Sequence, residues 1–184
     1  MMHRNARLAG VGLAAALTAG GCSHSGGGVG SPGPEPLASG TFRDAAGERI
    51  GVATLTETAG TLRLGVSVGS LTPGRHGLHF HAQGTCTPPD FASAGAHFNP
   101  GGRKHGRLNP EGPHLGDVPN LVVGPNGSAD TSFMVPNELV GSGPSSLLHP
   151  GGAALVIHAD ADDERTDPSG NSGARVACAV IEPG

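Results

Sequence analysis

Tryptophan and tyrosine are absent from this chain, and phenylalanine occurs only five times in 184 residues. That excludes a large aromatic core and removes any aromatic platform on which nucleic-acid bases could stack. Positive charge is scarce as well: 11 Lys and Arg stand against 15 Asp and Glu, for a formal charge of −4. With no basic patch, the chain is not expected to bind nucleic acid. Long apolar runs are also missing, and the stretch from Leu8 to Ala19 is too short to cross a bilayer. What is abundant is glycine, at 33, and proline, at 16. Such frequent punctuation of short apolar runs favours an all-β fold over a helical one.

The N-terminus reads as an address. Arg4 and Arg7 precede the apolar run Leu8–Ala19, and Gly20-Gly21-Cys22 follows, so residues 1–22 form a secretory signal. A cysteine directly after small residues has the form of a lipobox, although Ala19 stands where leucine is preferred. Cys22 is therefore expected to carry lipid and become the new N-terminus; the alternative is a signal residue lost on cleavage. Residues 23–38, SHSGGGVGSPGPEPLA, form a tether, flexible at first and stiffer where proline gathers. Residues 39–184 form the folded domain. The expected location is outside the cytoplasm, on the outer face of the cytoplasmic membrane or elsewhere in the periplasm or cell envelope, with membrane contact only through the lipid anchor. Loss of Arg4 and Arg7 takes the formal charge from −4 to −6.

If Cys22 is lipidated, Cys86 and Cys178 remain, and an oxidising compartment permits them to pair. Such a bridge closes a loop of about 90 residues, worth roughly 4 kcal/mol on a chain-entropy basis. Two buried free thiols are the alternative.

From Ser39 onward short strands follow one another. In TLRLGVSV (61–68), Leu62, Leu64, Val66 and Val68 alternate with Arg63, Gly65 and Ser67, the pattern of a half-buried strand. GVATLTE (51–57) precedes it across a turn at Ala59-Gly60. GLHFH (77–81), NLVV (120–123), ADTSFMV (129–135), AALVIH (153–158) and RVACAVI (175–181) continue the series, with Asn126-Gly127 as a hairpin signal. About eight antiparallel strands in a Greek-key, immunoglobulin-like β-sandwich or flattened barrel are expected. Two intervals, 82–117 and 159–174, carry no strand signal, and long unstructured loops in a compact domain are usually functional.

The first of these holds HFNPGGRKHGRLNPEGPHLGD (97–117). Its few apolar residues follow no period, so packing is not expected to order it. His97, His105, His114 and Asp117 are three imidazoles and a carboxylate, a full tetrahedral shell for zinc, and metal binding would supply the ordering free energy. Elsewhere His79 and His81 sit two apart on a strand and so share a face, while His158 ends the run AALVIH. His76 is expected to make a local hydrogen bond, and His149 to lie in a surface loop.

Taken together, GLHFHAQGTC, SAGAHFNPGGRKHG, GPHLGD, LVIHADADD and GNSGARVACAVI resemble the copper/zinc superoxide dismutases, from about residue 39 to 182. The resemblance implies one copper, held by His79, His81, His97 and His158. It implies one zinc, held by His97, His105, His114 and Asp117, with His97 bridging the two. Asp162 matches a carboxylate that links His79 to His105, and Arg175 matches the arginine that draws in the anionic substrate, superoxide. His97 and Arg175 are thus the implied catalytic residues. The resemblance leaves a homodimer open. It departs from the animal cytosolic enzymes in DERTDPSGNSGA (163–174), which is shorter and has Pro168 where a lysine would be expected. Two other classes compete: a non-catalytic copper/zinc-binding module on the same fold, and an adhesion-type sandwich with a purely structural zinc.

Overall fold

The computed structural model describes residues 35–184. The signal segment, Cys22 and most of the tether lie outside the described residues. Eight strands form one antiparallel sheet: β1 (Ala38–Asp44), β2 (Arg49–Thr58), β3 (Thr61–Val68), β4 (Gly74–His81), β5 (Asp117–Val123), β6 (Ala129–Met134), β7 (Ala153–His158) and β8 (Arg175–Pro183). Their order is β5-β4-β7-β8-β1-β2-β3-β6. β8 returns to lie beside β1, as a Greek key requires, and the outer strands β5 and β6 approach each other to leave a nearly closed, flattened barrel.

Alternation explains β3 directly. Leu62, Leu64, Val66 and Val68 are buried while Thr61, Arg63 and Ser67 are exposed. The Ala59-Gly60 turn, with φ of 51° and 76°, joins β2 to β3 in the left-handed geometry that a two-residue hairpin needs. Asn126-Gly127 behaves differently. The turn closes locally, through Gly124 N–H to Ser128 O at 2.9 Å, but the strands it joins are not hydrogen-bonded to each other. β5 pairs with β4 and β6 with β3, so this turn bridges the seam of the barrel instead of capping a hairpin.

Every residue of β7 is buried. Ala153, Leu155 and Ile157 face the main core, with Phe42, Phe80 and the leucines of β3. Ala154 and Val156 face a second, smaller cluster built from Phe91, Ala94 and Cys178, with Cys86 against it. The second cluster exists because the long loop between β4 and β5 folds back over β7. Cys86 and Cys178 are disulfide-bonded, 92 residues apart, and fasten that loop to β8.

The 97–117 segment has more internal support than its sequence predicts. Phe98 is buried in the main core. Asn99 accepts from Arg103 N–H at 2.9 Å and donates to Arg103 O at 2.8 Å. The Arg103 guanidinium donates to Glu111 O and Gly112 O. A hydrogen-bonded frame therefore stands beside whatever ordering a metal would add, and side chains of polar residues build it.

Candidate metal centre

Strand register brings the candidate ligands face to face. His79 on β4 pairs with Asp117 on β5, and His158 at the end of β7 pairs with Arg175 at the start of β8. An isolated bridge sets His81 against His97. All six histidines, His79, His81, His97, His105, His114 and His158, are buried. Buried polar groups normally find partners, and four of these rings, His79, His81, His105 and His158, have one nitrogen tied outward. His81 Nδ1 bonds Gly95 O (2.9 Å), His158 Nδ1 bonds Gly173 O (3.3 Å), and His79 Nε2 bonds Asp162 Oδ2 (2.9 Å).

The other nitrogens converge. His81 Nε2 and His158 Nε2 stand 3.4 Å apart. His79 Nδ1 and His97 Nε2 are buried without any hydrogen-bond partner. Ligand atoms of His79, His81, His97 and His158 all lie within 4.8 Å of one another, an all-nitrogen set suited to copper(II). Two orphaned imidazole nitrogens aimed into one nitrogen-lined space are what a bound metal would satisfy.

On its other side His97 meets a second set. Asp117 Oδ1 lies 3.2 Å from His97 Nδ1, 3.1 Å from His105 Nδ1 and 3.3 Å from His114 Nδ1. His97 Nδ1 and His114 Nδ1 are 3.4 Å apart. Four donors about 2.0–2.1 Å from one centre sit about 3.3–3.4 Å apart in a regular tetrahedron, so these edges fit zinc. His79 also falls within 4.8 Å of His97, His105 and Asp117. It stacks there on His97, with ring centres 4.1 Å apart, and the tetrahedral edges belong to His114.

The charge states of the metal-free protein differ between the two sets. Burial first, then the neighbouring His97, pushes His81 down to about 2. Burial and then His79 take His158 to about 3. Burial likewise lowers His97 to about 4, against the opposing hydrogen bond to Asp117. These rings are neutral at physiological pH, with lone pairs free for a metal. His105 goes the other way: burial alone would lower it, but its bonds to Asp117 and Asp162 prevail and raise it to about 9. Asp117 and Asp162 are held below the usual carboxylate range by the same bonds, which overcome burial.

A raised histidine contributes stability that is complete below the ordinary value of 6.5 and lost as pH rises through about 9. Metal must displace that proton from His105. Zinc loading of the metal-free protein at pH 7 is expected to release at least about one proton per ion, and apparent affinity should climb with pH up to about 9. Calorimetry in buffers of different ionisation enthalpy measures the release, and uptake without it would show His105 neutral beforehand.

Asp162 spans the two sets, its Oδ2 on His79 Nε2 and its Oδ1 on His105 Nε2, each at 2.9 Å. Three groups that sequence reasoning missed hold this arrangement. Asn120 grips the Asp162 backbone twice, donating to its carbonyl and accepting from its N–H, both at 2.8 Å. Asp167 accepts from His105 N–H at 2.8 Å. Gly170, at φ +63°, packs so closely that a Cβ there would overlap Asp162 Oδ1. His76 also proves less local than expected. One ring nitrogen bonds Thr72 O at 2.8 Å, but the other reaches His158 O at 2.7 Å. His149, expected at the surface, stacks on Phe98 with ring centres 5.7 Å apart.

Arg175 donates to Phe91 O and to Gly95 O, each at 2.6 Å. Gly95 O is also the acceptor for His81, so guanidinium and imidazole share one carbonyl. The alternation of β8 predicts opposite faces for Arg175 and Cys178, yet both engage the segment 86–95. Pairing slips between Ile157 and His158, opposite Arg175, where the strand ceases to be regular. Arg175 lines a cavity of about 540 Å³ with Pro89, Asp90, Ala92, Gly173 and Ala174. A larger cavity of about 590 Å³ touches the outer side of His114 and Asp117, away from the orphaned nitrogens.

Comparison with known proteins agrees with this geometry. The family profile described as copper/zinc superoxide dismutase (SODC) matches residues 49–181. "Superoxide dismutase [Cu-Zn] 2" of Aquifex aeolicus is 45% identical over 137 residues, covering 73% of this chain and 80% of that protein. The Caulobacter vibrioides superoxide dismutase [Cu-Zn] is 42% identical, covering 74% and 80%. Among solved structures, a SOD-like protein from Bacillus subtilis superposes with a TM-score of 0.73 at 38% identity, over 77% of this chain and 96% of that one. Cu/Zn superoxide dismutase from Brucella abortus gives a TM-score of 0.62 at 30% identity, over 79% and 99%.

Proposed function

The chain belongs to the copper/zinc superoxide dismutase family and is an enzyme of that type, with copper and zinc as its cofactors; from that premise we propose the role of each residue and of the whole protein. His79 Nδ1, His81 Nε2, His97 Nε2 and His158 Nε2 would hold copper. His97 Nδ1, His105 Nδ1, His114 Nδ1 and Asp117 Oδ1 would hold zinc. The observation that carries this reading is His97 itself. Its Nδ1 lies within the tetrahedral edges of one set, and its Nε2 is an orphaned buried atom facing the other.

The reaction is 2 O₂⁻ + 2 H⁺ → O₂ + H₂O₂. Bound copper supplies reversible one-electron redox chemistry, and bound zinc supplies a fixed positive charge. The chain's own residues do the rest. Arg175 places the one positive charge among the residues lining its cavity where an approaching superoxide meets it. His97 holds a proton at Nε2 in the half of the cycle in which that atom is not engaged with copper and delivers it to the peroxide product in the other; the second proton comes from water. Its Nδ1 stays committed beside Asp117, so the ring keeps its aim in both halves. Asp162 fixes the tautomers of His79 and His105.

A module that only stores metal has no use for Arg175, whose guanidinium is held in its cavity by the carbonyls of Phe91 and Gly95. Arg175→Ala is expected to lower the second-order rate about tenfold and flatten its salt dependence, with copper and zinc content unchanged. Arg175→Lys should recover part of the rate, since it restores charge but not the two-pronged contact. Rates by stopped-flow and metal content on the same preparations decide the matter. Full metal loading without any dismutation in the parent protein would favour the storage module.

The cellular role follows from the N-terminal segment. Export by residues 1–22, lipid on Cys22 and the 23–38 tether would place the enzyme at the cell envelope, where it removes superoxide arising outside the cytoplasm. Charged superoxide crosses membranes poorly, which fits an exported enzyme. Metabolic labelling with a tagged fatty acid tests the anchor, and no label on a Cys22-containing chain would sink it.

A further inference from the structure

We propose that Asp90 is a brake on anion capture: its carboxylate, on the wall of the cavity that holds Arg175, opposes the anions that Arg175 attracts. The inference rests on the reading of Arg175 as the anion-drawing group. Among the residues that line this cavity, Arg175 is the one cation and Asp90 the one anion. Arg175 does not spend its charge on a contact pair. Its bonds go to the carbonyls of Phe91 and Gly95, and among the described residues it has no carboxylate within 4.0 Å. Asp90 therefore acts on it through the field. Burial lowers the Arg175 guanidinium below its ordinary value, and the Asp90 carboxylate pulls it back up.

The backbone does not need the negative charge. Asp90 Oδ1 accepts Ala92 N–H at 3.0 Å, at the start of the 3-10 turn Ala92–Ala94. An asparagine oxygen accepts such a bond from the N–H two residues on as well as a carboxylate does. Phe91, enclosed by this Asx turn, supplies one of the Arg175 acceptors, so the turn helps hold the guanidinium in place while the charge works against it. A second carboxylate, Asp160, lies against Gly173 but does not itself line the cavity. In a chain of formal charge −4, the attractive region at the mouth is thus one guanidinium in an otherwise acidic setting.

Asp90→Asn separates the two roles, since it keeps the turn-closing bond and removes the charge. In the copper- and zinc-loaded protein, the second-order rate with superoxide is expected to rise roughly threefold at low ionic strength, converging on the parent rate near 0.5 M salt, where screening falls to a few ångströms. Inorganic phosphate gives an independent readout. Titrated against the reduced, diamagnetic protein and followed on the Arg175 guanidinium NMR signals, it should bind roughly threefold tighter to the variant at low salt. Equal rates and equal phosphate affinities would overturn the proposal. So would a loss of rate that persists at every salt concentration, because that pattern belongs to a broken turn at Asp90. If neither protein dismutates superoxide but phosphate still tightens, the brake stands and the enzymatic reading of the site fails.

Discussion

Gly170→Ala is expected to weaken zinc binding about 100-fold. Gly170 lies in the loop between β7 and β8 at φ +63°, a conformation that disfavours any Cβ by about 1 kcal/mol. The larger problem is space. A Cβ there would overlap Asp162 Oδ1 and stand 2.7 Å from His105 Nε2, so either the loop lifts or the carboxylate leaves. The loop is poorly placed to lift: Gly170 N–H donates to Thr166 O at 2.6 Å, and Asp163 N–H donates to Gly170 O at 2.8 Å. Asp163 also accepts from Arg165, Thr166 and Asn171, making the segment a closed hydrogen-bonded turn. The carboxylate is the softer element. Once it swings away, His105 loses the bond that orients its ring, and His79 loses its own on the copper side.

Disrupting such supporting contacts typically weakens metal binding about 10–100-fold, and here one substitution disturbs both ends of the carboxylate, so zinc affinity should fall about 100-fold. Competition with a chelator at pH 7 measures it. Gly47→Ala is the control, since Gly47 has φ +82° and nothing within 4 Å of the added Cβ. It carries the backbone penalty alone and should keep zinc. A Gly170→Ala protein that retains zinc like its parent would show that Asp162 is not needed to hold His105.

What could be read from the sequence follows from how each feature is encoded. β3 was legible because its inward positions are Leu and Val and its outward ones polar. β1 was not singled out, because its inward positions are Ala38, Gly40 and Phe42. The small ones are required: a Cβ on Gly40 would overlap Val180 O on the neighbouring strand, so the close approach of β1 to β8 erases the apolar signal. The imidazole-rich spacing of residues 97–117 pointed to a metal, since ligands are chemically unusual in such a segment. Asn120, Asp167 and Gly170 were silent, because their parts are defined only once segments 40 or more residues apart in sequence meet. The failed hairpin at Asn126-Gly127 has the same origin: the turn is local, but strand partners are chosen by the whole barrel.

Removal of the disulfide by a Cys86→Ala, Cys178→Ala double substitution is expected to lower stability by about 4–5 kcal/mol, from the 92-residue separation it spans. For a domain of this size, that corresponds to roughly 8–20 °C in Tm. The bridge does more than close a loop, however. The segment it fastens presents Gly95 O to both Arg175 and His81, and Phe91 O to Arg175. Cys178 is itself packed among Phe91, Ala94, Ala154 and Val156 over the outer face of β7. Freed at Cys86, the segment keeps that small apolar cluster and hydrogen bonds near its far end, such as Gln83 N–H to Ala94 O, so the acceptors of the Arg175 guanidinium are less firmly fixed. The double variant should therefore also lose several-fold in dismutation rate with both metals bound, most visibly at low salt, where Arg175 matters most. Reduction of the parent by a thiol should reproduce both losses and leave the variant unaffected. A large stability loss with an unchanged rate would assign the posture of Arg175 to the packing of Phe91 alone. A stability loss under about 1 kcal/mol would mean that the unfolded chain gains little freedom when the bridge is cut, contrary to the loop-closure account.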